Sequence, residues 1–301
     1  MRRAAREVPR LLVSARSLSG VTRAPRERML EITARFHEPE SLAVALSKAL
    51  DAGAAGILAN PSRLMRAALS ELGRVVPMHA VLPDIPQVDL ADLGPGVDGL
   101  LERRRKRVGS GVRWRMRLSR LRRLPGYAAG DMAARLAVLM EVEARALPRR
   151  GTASVVIASA ITDLALATGN RGFFERAARY MRRRFHAAAG FETANLGVML
   201  ARLREWEGAG VDFVVGGVNP GGLGMKPDLA TTLRELGSPP VPVIATELTA
   251  GGLCTLEEGV AFARQHGAHG LAPDLAEMDD VARELRAMGA VAVPQPATAG
   301  V

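Results

Sequence analysis

The chain has 301 residues and a mass of 32.0 kDa, with 48% hydrophobic and 24% charged residues. That balance excludes a wholly disordered chain and fits a globular protein with one large core or two small ones. No run of about 18 uninterrupted apolar residues argues for a membrane span, and the single cysteine, Cys254, excludes an intrachain disulfide framework or a cysteine-cluster zinc site.

The net charge of +10 favours anionic partners. Only Lys48, Lys106 and Lys226 among the 41 basic residues are lysine, so a GC-rich coding sequence is the simplest source of the arginine bias. The basic stretch 1–28 lacks an apolar run with a cleavage site and reads as a frayed N-terminal extension; a transit-like presequence has the same composition. Without an export signal, the expected location is cytoplasmic.

From residue 29 short apolar runs alternate with helical patterns. Strands are predicted at 30–36 (LEITARF), 55–60, 75–82, 153–160, 187–192, 211–218, 241–247 and 268–273. Amphipathic segments lie between most of them, several ending in glycine, the usual helix stop. Short apolar strands joined by helices pair in parallel through crossovers. Eight such units predict an α/β fold, a (β/α)8 TIM barrel over 29–286, with a small-residue tail at 287–301.

After strand 3 the rhythm breaks. Residues 85–150 are too long for a βα loop and predict a basic helical insertion. Eleven basic residues and no acid lie between Arg103 and Arg123, with Trp114, Leu118, Leu121 and Leu124 on one helical face. This segment reads as a solvated or partner-contacting face, or as a basic amphipathic helix for an anionic membrane surface or a prenyl-diphosphate substrate. Nucleic acid is disfavoured, since aromatics are only 4% of the chain.

An internal repeat supports closure. The segment from Phe36 to Leu82 and the one from Phe191 share a Phe-led strand end, a helix, an Ala-Gly turn and a strand ending in Asn-Pro, at Asn60-Pro61 and Asn219-Pro220. A helix ending Glu-Leu-Gly and a strand opening Val-Pro follow in both. Two half-barrels would give this pattern.

Barrel chemistry sits at strand C-terminal ends. In this reading those ends carry His37 and Glu38, Asn60, His79 and Asp84, Thr162 and Asp163, then Glu192, Thr193 and Asn195, then Asn219, Glu247, Thr249 and Asp274. Arg35 and His37 share parity on strand 1, and the repeat sets Glu192 opposite His37. Ionisable groups inside a barrel are costly unless paired and mark function; alternatively that parity faces the helices, or Arg35 and Glu192 form a structural ion pair. The catalytic candidates are Glu192, Glu247, His37 and Asp163. The substrate-binding candidates add Arg35, Asn60, His79, Thr193 and Asn219, with His79 equally readable as a core histidine. His186, His266 and His269 fall near strand starts and read as structural.

The loop 219–228 (NPGGLGMKPD) is the most distinctive segment. Gly221 and Gly222 let backbone amides approach an anion, and Lys226 could reach it or, less readily, form a Schiff base; a plain flexible lid is the other reading. A divalent metal is open if His37, Glu192, Glu247 and Asp163 converge. No nicotinamide or nucleotide signature is present.

The segment VPVIATELTAGGLCTLEEGVAFARQHGAHGLAPD resembles the strand 7–helix–strand 8 part of the phosphate-binding TIM barrels of histidine and tryptophan biosynthesis. The matching residues are Gly251, Gly252, Glu257, Gly267, Ala268 and Gly270. The resemblance implies that amides after strands 7 and 8, including those of Gly251 and Gly252, hold a substrate phosphate. Pro273-Asp274 stands where that family has Gly-Ser or Gly-Thr. The Asn-Pro-Gly-rich loop is also similar to that of other barrel proteins of unassigned activity. The expected function is a lyase or isomerase acting by acid–base chemistry on a small anionic, phosphorylated or carboxylated metabolite, as an oligomer or a monomer. The alternative is a binding role for 103–123.

Overall fold

A strand of two to six residues cannot satisfy its own backbone, so each run finds a parallel neighbour across a helix. In a computed structural model, which describes residues 7–20, 24–84, 124–128, 130–148 and 150–290, eight strands pair in sequence order. They are β1 (Val13–Ser14), β2 (Ile57–Ala59), β3 (Met78–Leu82) and β4 (Thr152–Ile157). β5 (Ala188–Thr193), β6 (Phe213–Gly217), β7 (Val243–Thr246) and β8 (Gly270–Leu271) complete the set. The ring then closes. Leu12 N donates to Leu271 O at 2.8 Å, Leu271 N to Arg10 O at 2.9 Å and Ser14 N to Pro273 O at 2.8 Å. The fold is a TIM barrel.

The helices around it are α1 (Arg26–Arg35), α2 (Pro39–Asp51), α3 (Arg63–Glu71), α4 (Leu124–Ala128) and α5 (Met132–Glu143). They continue with α6 (Ser159–Ala167), α7 (Arg171–Phe185), α8 (Leu196–Glu205), α9 (Leu229–Leu236), α10 (Leu256–Gln265) and α11 (Val281–Ala290). α7 shows how sequence sets its place. Phe173, Phe174, Ala177, Ala178 and Met181 recur on one face and are buried. Asn170 caps the first turn by accepting from Phe173 N at 2.9 Å. The apolar face packs on the sheet, where the Phe174 ring lies 5.1 Å from that of Phe191 and 5.4 Å from Trp206.

Strand alternation divides the core in two. Leu12, Leu58, Val81, Val156, Val215, Ile244 and Ala272 fill the barrel interior, while residues of the opposite parity, such as Val155 and Phe191, join the larger core under the helices. Gly190 makes this interior possible, because a Cβ there would lie 2.5 Å from the Phe213 ring.

The strand predicted at 30–36 is instead α1, and β1 lies within the stretch 1–28 that the sequence reading places outside the barrel. LEITARF admits both periods. Ile32 and Phe36, four apart, are buried while Leu30 is 61% exposed, which is the helical period. The pairing position beside β2 is taken by LLVS, whose backbone completes the ladder with both β2 and β8. α1 adds a helix across the C-terminal end of the barrel, where Arg28 Nε donates to Ala276 O at 3.0 Å. The other seven predicted strands each overlap an observed one; β4 starts one residue before its predicted range and β5 ends one residue after. The repeat holds from α2 onward, with Asn60 and Asn219 following β2 and β6. Its Phe-led start does not hold, since Phe36 ends a helix. The arginine-rich segment 103–123, the start of the insertion and residues 291–301 of the tail lie outside the described residues.

A chain beginning at Met29 lacks β1 and the closing ladder; it should give no cooperative urea transition, whereas one beginning at Glu7 should unfold like the full chain.

At the N-terminal end of the interior, His79 is buried, with Nδ1 2.8 Å from Ser154 Oγ and its ring edge-on to Phe213. It is a core histidine, not a group at the mouth. Burial lowers its pKa from 6.5 to about 4. The unfolded chain therefore takes up a proton that the folded one refuses. The stability held by the neutral imidazole is intact above pH 6.5 and falls as the pH drops towards 4, by roughly 3 kcal/mol. Urea titrations across this range should show that slope in the wild type and a shallower one in His79→Leu.

Candidate active site at the barrel mouth

The parity that puts Leu12 inside the barrel carries Ser14 and Arg16 to its C-terminal mouth. Arg16 is 8% exposed and grips Glu192 of β5 through two bonds, Nε to Oε1 at 2.9 Å and Nη2 to Oε2 at 2.6 Å. Its Nη1 donates to Asn60 Oδ1, and Asn60 Nδ2 donates to Val81 O at 3.3 Å. Ser159 N, at the start of α6, donates to Glu192 Oε2 at 3.1 Å. A fork-to-fork pair of this kind is among the stronger charge-assisted contacts. Here it joins residues from β1, β2, β5 and the β4–α6 turn in one layer above the apolar interior.

Asp274, just beyond β8, locks the seam with β1. Its carboxylate accepts Ser14 Oγ at 2.7 Å, Arg16 N at 2.9 Å, Ser17 N at 3.2 Å and the Ser17 hydroxyl. Glu277 ties β8 to β7. It accepts Thr249 N and Thr249 Oγ1, each at 3.0 Å, and Asp274 N at 2.8 Å. Burial pushes the Glu277 carboxyl above its ordinary range, against these hydrogen bonds.

Between these groups lies a cleft of about 520 Å³. Among the described residues six acidic residues line it, Glu192, Glu247, Asp274, Glu277, Asp279 and Glu284, against Arg16 and Arg28. Glu247 follows β7 with φ of +53°, a left-handed conformation costly for a residue with a Cβ. Two bonds hold the turn: Asn219 Nδ2 donates to Glu247 O at 2.9 Å and Ala250 N to the same oxygen at 3.0 Å. Cys254 also lines the cleft; burial and the nearby Glu258 and Glu277 push its thiol pKa up, which suits a packed thiol rather than a nucleophile.

Of the residues expected at the site, Glu192, Glu247, Gly251 and Gly252 line this cleft, and Asn60 reaches it through Arg16. Arg35 and His37 do not. With residues 30–36 helical, Arg35 is exposed and stacks on Phe36, and His37 Nδ1 lies 2.7 Å from Ala34 O with its side chain 63% exposed. An ion pair across the barrel does form with Glu192, but Arg16 makes it, not Arg35. Asp163 sits on α6, where it binds the Thr193 hydroxyl and accepts Ala194 N at 3.1 Å; burial raises its pKa. Asp163 and Thr193 thus tie the end of β5 to α6. Asn219 is fully buried, and both its amide donation to Leu223 O and Leu223 N's donation to its Oδ1 stay within the loop. Gly221 packs on Ala250, and a Cβ there would come within 2.9 Å of it. Gly222 turns the loop with φ of +69°. Lys226 is exposed outside the cleft, and its carbonyl accepts Val198 N at 3.2 Å.

Part of the expected phosphate cradle is used from within. Thr249 N and Asp274 N, the amides following β7 and β8, already serve Glu277. Gly252 N and Cys254 N serve Thr249 O at 2.9 and 3.1 Å. His37 is remote, so the four proposed metal ligands do not converge, and among the described residues no three His, Cys, Asp or Glu side chains are placed to hold a metal. No helix among the described residues is long and apolar enough to cross a membrane. Arg16 and Glu277 escaped the sequence reading. The alternation of Leu12, Ser14 and Arg16 after an apolar start was the available signal for the first. Glu277 carries none, since only the fold brings it to Thr249.

No family model matches the chain, and comparison with curated proteins finds no match. Among solved structures, a dihydropteroate synthase of Xanthomonas albilineans, in complex with indole-2-carboxylic acid and 6-chloroguanine, matches with 14% identity and a TM-score of 0.40, over 94% of this chain and 91% of that one. So loose a likeness carries neither residues nor chemistry across.

Removing one partner of the buried pair strands the other charge. Arg16→Met should cost roughly 3–5 kcal/mol in urea unfolding. Adding Glu192→Met should recover a large part of that loss. A cost below about 1 kcal/mol for the single variant would show the pair to be solvated.

Proposed function

We propose that the protein is a TIM-barrel enzyme that moves protons on a small polar metabolite, by chemistry of the lyase or isomerase type. The observation that carries this reading is the gathering of Arg16, Glu192, Glu247 and Glu277, from four strand ends, into one cleft above an otherwise apolar interior. Buried charge of that kind is costly to keep without use, although fold alone assigns no activity.

Roles follow from the contacts. Arg16, Glu192 and Asn60 saturate one another and make a rigid floor, so they position the substrate. Glu247, set on a strained turn at the cleft wall, is the candidate base. Glu277, whose pKa is raised by burial, is the candidate proton donor. The excess of carboxylates suits a substrate that brings a cationic or hydrogen-bond-donating group. It argues against the phosphorylated or carboxylated metabolite expected from the sequence, as does the use of the Thr249 and Asp274 amides by Glu277. The other expectation, a membrane- or lipid-binding role of residues 103–123, rests on a segment outside the described residues.

Proton NMR in D2O on a panel of small amines, amino acids, polyols and phosphate esters tests the proposal. The wild type should turn over, or exchange a C–H of, a member bearing a cationic or donor group. Glu247→Gln should slow this by about 10²–10⁴-fold with unchanged thermal stability. Equal rates in the variant would remove Glu247 from the chemistry, and reaction confined to phosphate esters would overturn the charge assignment.

A further inference from the structure

At the opposite end of the barrel from the mouth, strand starts surround a cavity of about 370 Å³, within the roughly 300–1,000 Å³ of a usual small-ligand pocket. Val8 and Pro9 before β1, Pro77 before β3, Ala188 of β5 and Phe213 of β6 make its wall largely apolar. His79 of β3 and Ser154 of β4 are set into that wall. Its one other ionisable side chain among the described residues is Glu7, which is exposed.

Two polar side chains buried this deeply must account for each of their hydrogens. Ser154 is 1% exposed, and its hydroxyl has one partner among the described residues, His79 Nδ1 at 2.8 Å. The hydroxyl hydrogen therefore points at Nδ1, which accepts it. The neutral ring then carries its own hydrogen on Nε2. His79 is 5% exposed, so the ring is withdrawn from bulk water. Its Nε2 has no protein partner among the described residues, yet it is not sealed off. The cavity that the ring lines is what it opens on. Burial holds the pKa at about 4, so near pH 7 the group is a neutral donor and not a cation. It offers an anion no charge, and Glu7 repels one.

We infer that this cavity binds a small uncharged molecule with an apolar body and one carbonyl oxygen, which accepts the Nε2 hydrogen of His79 while the body lies against Phe213 and Pro77. Wall and donor narrow the choice from two sides. A hydrocarbon fills the cavity but leaves the donor without an acceptor. A carboxylate supplies the acceptor but brings a charge into an apolar wall with no cation to meet it. This inference stands apart from the proton-transfer reading of the mouth.

Long-range nitrogen–proton NMR of the isotope-labelled full chain at pH 7 tests it, with the His79 ring identified by its contact with the Phe213 ring. In the wild type the hydrogen should sit on Nε2. Acetophenone should bind with a dissociation constant of about 1 mM or lower and shift the Nε2 signal. Ethylbenzene should leave that signal in place, and benzoate should not bind there. Folded His79→Leu should bind acetophenone about three- to tenfold more weakly. The wild-type readings do not depend on how any variant folds. A hydrogen on Nδ1, an Nε2 signal that saturating acetophenone fails to move (a cavity holding water only), or an equal shift with benzoate would each overturn the inference.

Discussion

The ion pair of Arg16 with Glu192 sits where the apolar barrel interior gives way to a polar mouth, and the upper part of the molecule is arranged around it. Both charges are largely withdrawn from water. Attraction in a low dielectric offsets that cost only when the remaining donors and acceptors are also satisfied. Asn60 and the Ser159 amide supply those contacts, and each is placed by a different strand end. The pair thereby fixes β1, β2, β4 and β5 relative to one another. Asp274 and Glu277 continue the same logic round the seam from β8 to β1 and β7, so the ring is held at its top by carboxylates rather than by further apolar packing.

Among the described residues the mouth cleft is lined by more acids than bases, although the chain carries a net charge of +10. Several arginines of the described outer ring are engaged elsewhere. Arg176 pairs with Asp131, Arg182 with Asp212, Arg184 with Glu141 and Arg204 with Glu235, all on the flanks of the barrel. Such partly exposed pairs contribute little each. Total charge governs long-range attraction, but the sign at a site is set by the few groups that converge there. Net charge alone therefore does not set the sign of the charge at this cleft.

The two half-barrels are related from α2 onward, and the difference between them is instructive. In the second half β5 leads into α8 within a few residues. In the first, α1 comes between β1 and α2 and lies over the β8 end. That addition moves the strand about twenty residues ahead of where the repeat would place it. It also leaves α1 beside the mouth, where Arg28 holds the turn after β8 through Ala276 O.

Fold class was legible in the sequence because alternation of short apolar runs with amphipathic helices is a local property, and parallel pairing of such units leaves few arrangements. Seven strands and the cleft position of Glu192, Glu247, Gly251 and Gly252 followed from it. The first strand was not legible, since LEITARF satisfies both periods and LLVS is short and flanked by arginines; only pairing to β2 and β8 decides between them. The partner of Glu192 and the hold of Glu277 on the Thr249 and Asp274 amides lay equally beyond reach. Each joins or separates residues distant along the chain, and hydrogen-bond partners at such separations are chosen by ring closure, not by neighbours in sequence.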